Sequence, residues 1–418
     1  MYLSDNKLNL FIKLLITILP ISILVGPSAS ILNIALISII GVTIFLIHKK
    51  NYNLFGSEIV KLLSVLYLYL IFNTFVSLNF EESINRNLGF FRYIFLFIAI
   101  NYFFFKEENI NFFFKIWILV FLVVFFDIFF EFYMGKNILG YPSLKNRIGS
   151  FFKDEAVIGS FLNGFIFILI GYLFKNLEKN TLYQNVLIFS FLLVGCVSII
   201  FTGERASVIK FFLGMFLFFF MIRKTKYIYL ITILASLMIL LSANFGQYKV
   251  LKTRFYDDIF PRLMNSEIRQ NYLYFQLYSS GIEVFKSYPF FGVGNKNYRV
   301  ETCKTRAFPV KKKENEKYKC NTHPHQVYIE FLSEHGLIGT ILILYIFIKL
   351  IFLNFKNIYN NRNSIQIGCF CFLATNFIPF IPSGSFFSDF SSTFFFINLS
   401  MLYAVSSKTN IFKKIDNF

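Results

Sequence analysis

Three of the four histidines of this chain fall between positions 323 and 335. The stretch reads Cys320-Asn321-Thr322-His323-Pro324-His325-Gln326-Val327-Tyr328-Ile329-Glu330-Phe331-Leu332-Ser333-Glu334-His335. Imidazole is the side chain that most readily gains or loses a proton near neutral pH. Where a polar loop meets an apolar run, it can serve as a general base. The plainer reading of each histidine is a hydrogen-bonded loop residue, and His323 and His335 fit that reading better.

Arginines at the edges of apolar runs are the second signal. Arg205 lies in Thr202-Gly203-Glu204-Arg205-Ala206-Ser207. Arg147 opens Arg147-Ile148-Gly149-Ser150-Phe151-Phe152-Lys153-Asp154-Glu155. Guanidinium binds phosphate oxygens in bidentate fashion and keeps its charge. Two or three arginines facing one cavity would hold a pyrophosphate. The plainer alternative is an interfacial arginine reaching for water, or for Arg205 a local pair with Glu204. The carboxylates say less. Asp257-Asp258 stands alone, and no residue pattern demands a divalent metal or a cofactor. Gly292-Val293-Gly294 lacks the strand and the remaining glycines of a nucleotide fingerprint.

The five cysteines divide in two. Cys196, Cys369 and Cys371 lie within apolar runs and read as small fillers. Cys303 and Cys320 flank a basic stretch with Lys311-Lys312-Lys313. In an oxidising compartment they can form a disulfide. Metal binding together with His323 or His325 is the alternative, although the spacing is irregular and no CxxC occurs.

These residues need elements to hold them. Of 418 residues 56% are hydrophobic and 15% charged, whereas a soluble domain carries roughly 25% charged residues. The apolar residues cluster into runs of about 20, the length that crosses a bilayer as a helix. Runs fall near 8–26, 30–47, 59–79, 88–105, 110–134, 156–174, 185–202, 206–222, 227–243, 333–353, 364–381 and 387–405. The expected fold is all-α: a polytopic transmembrane bundle of about twelve helices. The first run is read as a retained helix rather than a signal peptide, because it is long and another follows at once. The 61 phenylalanines suit lipid-facing surfaces. Placing both termini inside gives the short inner segments about twice the Lys and Arg of the short outer ones.

Residues 1–243 are thus expected to carry nine helices. Residues 244–332 should form a large periplasmic loop with short helices, and 333–418 three more helices and a cytoplasmic C-terminus. Within the loop, Asn271–Lys286 reads as a helix with one stripe at Tyr274, Leu277, Tyr278, Ile282 and Phe285. Tyr288-Pro289 and Gly292-Val293-Gly294 then break the chain. The net charge of +18 lies in loops. It points to membrane lipids or a phosphorylated lipid substrate rather than nucleic acid.

In combination these pieces resemble the O-antigen ligase and polymerase superfamily of bacterial envelope glycan assembly. The resemblance rests on Arg147-x-Gly-Ser-Phe-Phe with Asp154-Glu155, on Thr202-Gly-Glu-Arg205, and on Tyr288-Pro-Phe-Phe-Gly-Val-Gly294 with Tyr298-Arg299 and Cys303. The most specific part is Cys320-Asn-Thr-His-Pro-His325-Gln-Val-Tyr-Ile-Glu-Phe-Leu-Ser-Glu334-His-Gly-Leu-Ile-Gly339. Together they span roughly 140–345. Gln326 and His335 depart from the family pattern, which commonly has Asn and a small residue there.

The resemblance implies a metal-independent, inverting glycosyltransferase of the bacterial inner membrane with its site facing the periplasm. The donor would be a glycan on undecaprenyl pyrophosphate, and the acceptor lipid A–core in a ligase or another lipid-linked glycan in a polymerase. His325 would be the base, with His323 in support. Arg147, Arg205, Arg299 and Arg269 would bind pyrophosphate, and Glu334 would orient His325 or cap the re-entrant helix. The cysteine-bearing loop favours the ligase branch over the polymerase. A flippase for lipid-linked oligosaccharides fits less well, because the runs are nearly uncharged and the two halves of the chain are unlike.

Overall fold

A computed structural model describes residues 5–106, 110–144, 147–175, 182–223, 233, 272–303 and 318–412. The expected run at 227–243, the start of the large loop with Arg269, and Lys311–Lys313 lie outside these residues. The described residues form helices and no strand. In order they are α1 (Asp5–Thr17), α2 (Leu19–Val25), α3 (Pro27–His48), α4 (Glu58–Phe75), α5 (Phe80–Gly89), α6 (Phe91–Lys106), α7 (Asn111–Met134) and α8 (Ile158–Lys175). There follow α9 (Leu182–Phe201), α10 (Arg205–Ile222), α11 (Leu273–Ser287), α12 (Tyr298–Thr302), α13 (Val327–Phe352), α14 (Phe355–Asn361), α15 (Ser364–Thr375) and α16 (Asp389–Ala404).

The protein is an all-α polytopic bundle. In lipid every backbone N–H and C=O needs a partner from the protein, and a helix supplies it locally. Among the described residues eight helices are long and apolar enough to cross a membrane, fewer than the expected twelve. Of the four runs not among them, 227–243 falls outside the described residues, and the other three have local causes. The run at 8–26 breaks at Ile18, where Pro20 in the first turn of α2 cannot donate to the preceding helix. The runs at 364–381 and 387–405 are helical only over α15 and α16, with Pro379 and Pro382 between them.

Helix α8 is buried along most of its length, packed by α9, α10, α15 and α16. Its neighbours are fastened by polar side chains reaching its carbonyls: Ser364 Oγ donates to Gly171 O at 2.6 Å and Asn398 Nδ2 to Gly164 O at 2.7 Å. Helices α3 and α7 instead expose Leu32, Leu36 and Ile39, and Leu119, Leu122 and Phe126, a surface suited to lipid.

The re-entrant helix α13 starts at Val327 and is broken at Gly336 (φ 64°, ψ −170°). An unbroken helix would bond Leu337 N–H to Ser333 O and Ile338 N–H to Glu334 O. Here the Pro289–Gly294 segment takes both roles. Leu337 N–H donates to Pro289 O (2.8 Å) and Ile338 N–H to Phe290 O (3.2 Å). Ser333 O and Glu334 O accept from Val293 N–H (3.0 Å) and Gly294 N–H (2.9 Å). The Tyr288–Gly294 motif therefore does more than break the chain, since it fills a gap in another helix. Gly292 and Gly336 make this possible: a Cβ on Gly292 would overlap the Glu334–His335 backbone, and one on Gly336 that of Phe290–Phe291.

An amide knot fixes this junction to the α4–α5 turn. Asn73 Oδ1 accepts from Asn295 N–H (2.8 Å), Asn297 Nδ2 donates to Ser83 Oγ (2.8 Å), and Leu78 N–H donates to Val293 O (2.9 Å). Helix α11 lies over the start of α13, and of the expected stripe Leu277 belongs to its buried face. Its buried face is Leu277, Ser280, Gly281 and Val284, while Ile282 is exposed. Gly281 lets Ile329 and Pro324 come close, so small residues choose the packed face over bulky ones.

Candidate active site

His325 stands immediately before α13, whose first turn is capped by the Gln326 side chain accepting from Ile329 N–H (2.8 Å). The His325 backbone is left-handed (φ 58°), a conformation that costs a non-glycine residue energy and needs holding. Its carbonyl accepts from Ser383 N–H at 2.9 Å, in the loop between α15 and α16. Its ring packs against His323 (centroids 4.0 Å apart) and against Tyr274 of α11 (5.5 Å). Burial lowers the proton affinity of both imidazoles. His323 falls to about 3, with the neighbouring His325 adding to the effect. His325 also falls below its ordinary value, opposed by the Ser383 backbone. Both rings are therefore neutral near pH 7, the form in which an imidazole accepts a proton.

The Arg147 charge acts on Glu204, and Arg205 follows Glu204 at the start of α10. The Arg147 loop is joined to the α9–α10 turn by Ile148 N–H donating to Thr202 O (3.2 Å). Two carboxylates of α7 hold that loop from below. Glu131 accepts from Gly149 N–H (3.1 Å) and Ser150 N–H (2.7 Å), and Asp127 accepts from Ser150 Oγ (2.5 Å). Sequence reasoning missed both, because they look like isolated charges within an apolar run. Glu204 accepts from Gly159 N–H (2.7 Å) and Ser207 Oγ (2.8 Å). Burial raises its pKa to about 7 despite those bonds and the nearby Arg147 charge. Arg205 opens α10 beside it.

A second basic cluster sets the expected Arg299 among residues that were not foreseen. Arg299 is ion-paired with Glu82 of α5, and Lys296 lies 3.9 Å from the same carboxylate. Arg86 (3.3 Å) and Arg92 both pair with Asp389 at the start of α16. For Arg86, Arg92 and Asp389 the advance sign was their place at the edges of apolar runs. Glu334 is buried and accepts from Tyr298 N–H (3.2 Å). Its carboxylate thus supports the Asn295–Tyr298 turn, and the expected contact with His325 is not among its hydrogen bonds.

Cys303 and Cys320 are joined by a disulfide, with Cα atoms 4.8 Å apart, so neither thiolate is available to a metal. Among the described residues no group of three His, Cys, Asp or Glu is arranged to hold a metal ion. Arg269 lies outside the described residues.

The loop between α15 and α16, together with the first turn of α16, touches every part of this region. Ser383 bonds His325, Asp389 pairs with Arg86 and Arg92, and Phe390 packs on Phe152 of the Arg147 loop (5.8 Å). His325, the Arg147–Glu204–Arg205 group and the second cluster therefore share one end of the bundle.

No curated protein matches the chain. Residues 188–344 match the family described as O-Antigen ligase. That interval takes in Arg205, the Tyr288–Gly294 insertion and the His323–Gly339 stretch, while Arg147 lies before it. Over that interval, less than half of its length, the chain is similar to the O-antigen ligase family, and this match supports the O-antigen ligase and polymerase superfamily.

Proposed function

We propose that this protein transfers a glycan from undecaprenyl pyrophosphate to an acceptor sugar hydroxyl at the periplasmic face of the bacterial inner membrane, as an O-antigen ligase with lipid A–core as acceptor. The observation that supports this most is the neutral, half-buried His325 imidazole at the same bundle end as the Arg147–Arg205 group. The acceptor oxygen attacks the anomeric carbon as the bond from that carbon to the pyrophosphate oxygen breaks. The electron pair leaves with undecaprenyl pyrophosphate, and the hydroxyl proton passes to His325. A single displacement inverts the anomeric centre.

Arg147 and Arg205 meet the charge that develops on the leaving pyrophosphate, supplying from guanidinium what a divalent ion supplies elsewhere. Arg269 belongs to the same proposal. Arg299 already pairs with Glu82, so its share requires an exchange of partners.

The test is complementation of a deletion strain. His325→Ala should reach the membrane yet reduce transfer by at least about a hundredfold; full transfer would remove His325 as the base. Arg205→Ala should be inactive, and full rescue by Arg205→Lys would exclude bidentate recognition. In the deletion itself, loss of all polymer from lipid A–core with long chains kept on the carrier identifies a ligase. A single repeat unit on the core identifies a polymerase instead.

A further inference from the structure

Glu330 lies in the first turns of α13, fully buried, with no part in the transfer chemistry described above. Its carboxylate accepts from Ser385 Oγ at 2.5 Å and from Phe386 N–H at 3.0 Å. Two residues earlier in the same strap, Ser383 N–H donates to the His325 carbonyl. The Ser383 backbone also lies close enough to favour protonation of both the His323 and the His325 ring. A cycle therefore closes from His325 through Ser383, Ser385 and Phe386 to Glu330, and back along α13 through the capping Gln326. Beyond it, Arg86 holds the end of the strap, donating to Phe387 O at 2.8 Å and pairing with Asp389.

The cycle bears on the histidine for a physical reason. His325 sits in a left-handed backbone conformation that persists only when its surroundings over-determine it. Where the ring sits among its neighbours decides which of its nitrogens carries the proton, leaving the other as the lone pair. That place is set through the Ser383 N–H bond to the His325 carbonyl, and the strap that makes it is held against α13 by a buried carboxylate. A carboxylate without donors would be costly at this depth, so Ser385 and Phe386 cannot leave it cheaply. The titratable neighbours of His325 are His323 and Tyr274, and those of Glu330 are Glu334 and Arg86.

We infer that Glu330 is a positioning residue: by clamping the Ser383–Phe386 strap to the start of α13, it fixes the orientation and tautomer of the His325 imidazole. The inference rests on the reading of His325 as the base.

Two measurements test it. In the full-length protein in lipid bilayers, with histidine 15N-labelled, the imidazole nitrogen shifts report the tautomer, and loss of a signal in His325→Gln assigns it. Wild type should show one His325 tautomer; Glu330→Leu should show a mixture. Transfer in membrane vesicles carrying the host's own lipid-linked glycans should lose about tenfold or more in kcat in Glu330→Leu, with KM unchanged. Glu330→Gln keeps an oxygen acceptor of the same shape and should stay within about threefold of wild type, with a single tautomer. Ser385→Ala removes one of the strap's bonds and should fall between.

A single tautomer and wild-type kcat in Glu330→Leu would overturn the inference. If that variant fails to accumulate, the same result in Ser385→Ala overturns it. His325→Ala separates the two readings. An active His325→Ala removes the base, and with it any catalytic meaning of the strap. An inactive His325→Ala beside an unchanged tautomer in the strap variants removes the positioning inference alone.

Discussion

Glu204 is a carboxyl that would ionise at about 4.5 in its reference state but is held protonated to about 7 by burial. The folded protein therefore binds this proton more tightly than the unfolded chain does. The stability linked to it is fully present below about 4.5 and is lost as pH rises through about 7. Glu204→Gln keeps an acceptor for Gly159 N–H and removes the ionisation. Thermal unfolding in detergent should show the variant more stable than wild type above about pH 7, with the gain vanishing at about pH 4. An equal gain at both pH values would rule out burial as its source. Legibility at this scale was uneven. His325, Arg147 and Arg205 stood out because their types suit proton transfer and phosphate binding. Asp127, Glu131 and Glu330 did not, since a carboxylate that only accepts backbone and hydroxyl bonds leaves no spacing pattern. Glu334 was noticed, as orienting His325 or capping the helix, while its bond to Tyr298 N–H had no sign in the sequence.

Helix α13 shows the same limit one level up. The apolar run announced a helix, and Tyr288–Gly294 announced a break in the loop. That the second repairs a gap in the first involves bonds between residues far apart in the chain, such as Leu337 to Pro289. No periodicity records them. Gly336 carries the arrangement, at φ 64° and ψ −170° against the Phe290–Phe291 backbone. An alanine there adds strain of about 1–3 kcal/mol together with a steric collision. Gly336→Ala should lower the thermal midpoint in detergent and reduce the membrane-inserted yield. A midpoint equal to wild type would show that α13 closes the break without the inserted segment. Helix α11 was legible in position, over Leu273–Ser287, but only in part in orientation, Leu277 being common to the expected stripe and the buried face. The close approach allowed by Gly281 outweighed the stripe of larger apolar residues.

Over the whole molecule, the alternation of helices puts the start of α13 at one end of the bundle and the last turn of α16 at the other. Cys303 and Cys320 lie at the first end, joined by their disulfide. The remaining cysteines, Cys196, Cys369 and Cys371, are buried. An impermeant maleimide added to intact cells should label neither Cys303 nor Cys320 until a reductant is supplied, and then both. Ser407→Cys, exposed beyond α16, should stay unlabelled until the membrane is opened. Labelling of Ser407→Cys in sealed cells would reverse the proposed orientation. The amino-acid sequence by itself determined the all-α membrane class, because an apolar run of about 20 residues in lipid must satisfy its backbone within itself. It also set out the residue types fit for the chemistry. Only the tertiary structure decided which runs stay whole, and which polar groups meet. The loop between α15 and α16 is the clearest case: uncharged over 382–386, it carried no sign of function, yet it touches His325, Glu330 and Arg86, and the first turn of α16 that follows it sets Phe390 on the Arg147 loop. Those contacts join segments far apart along the chain. Helix packing creates them, and local sequence pattern cannot encode them.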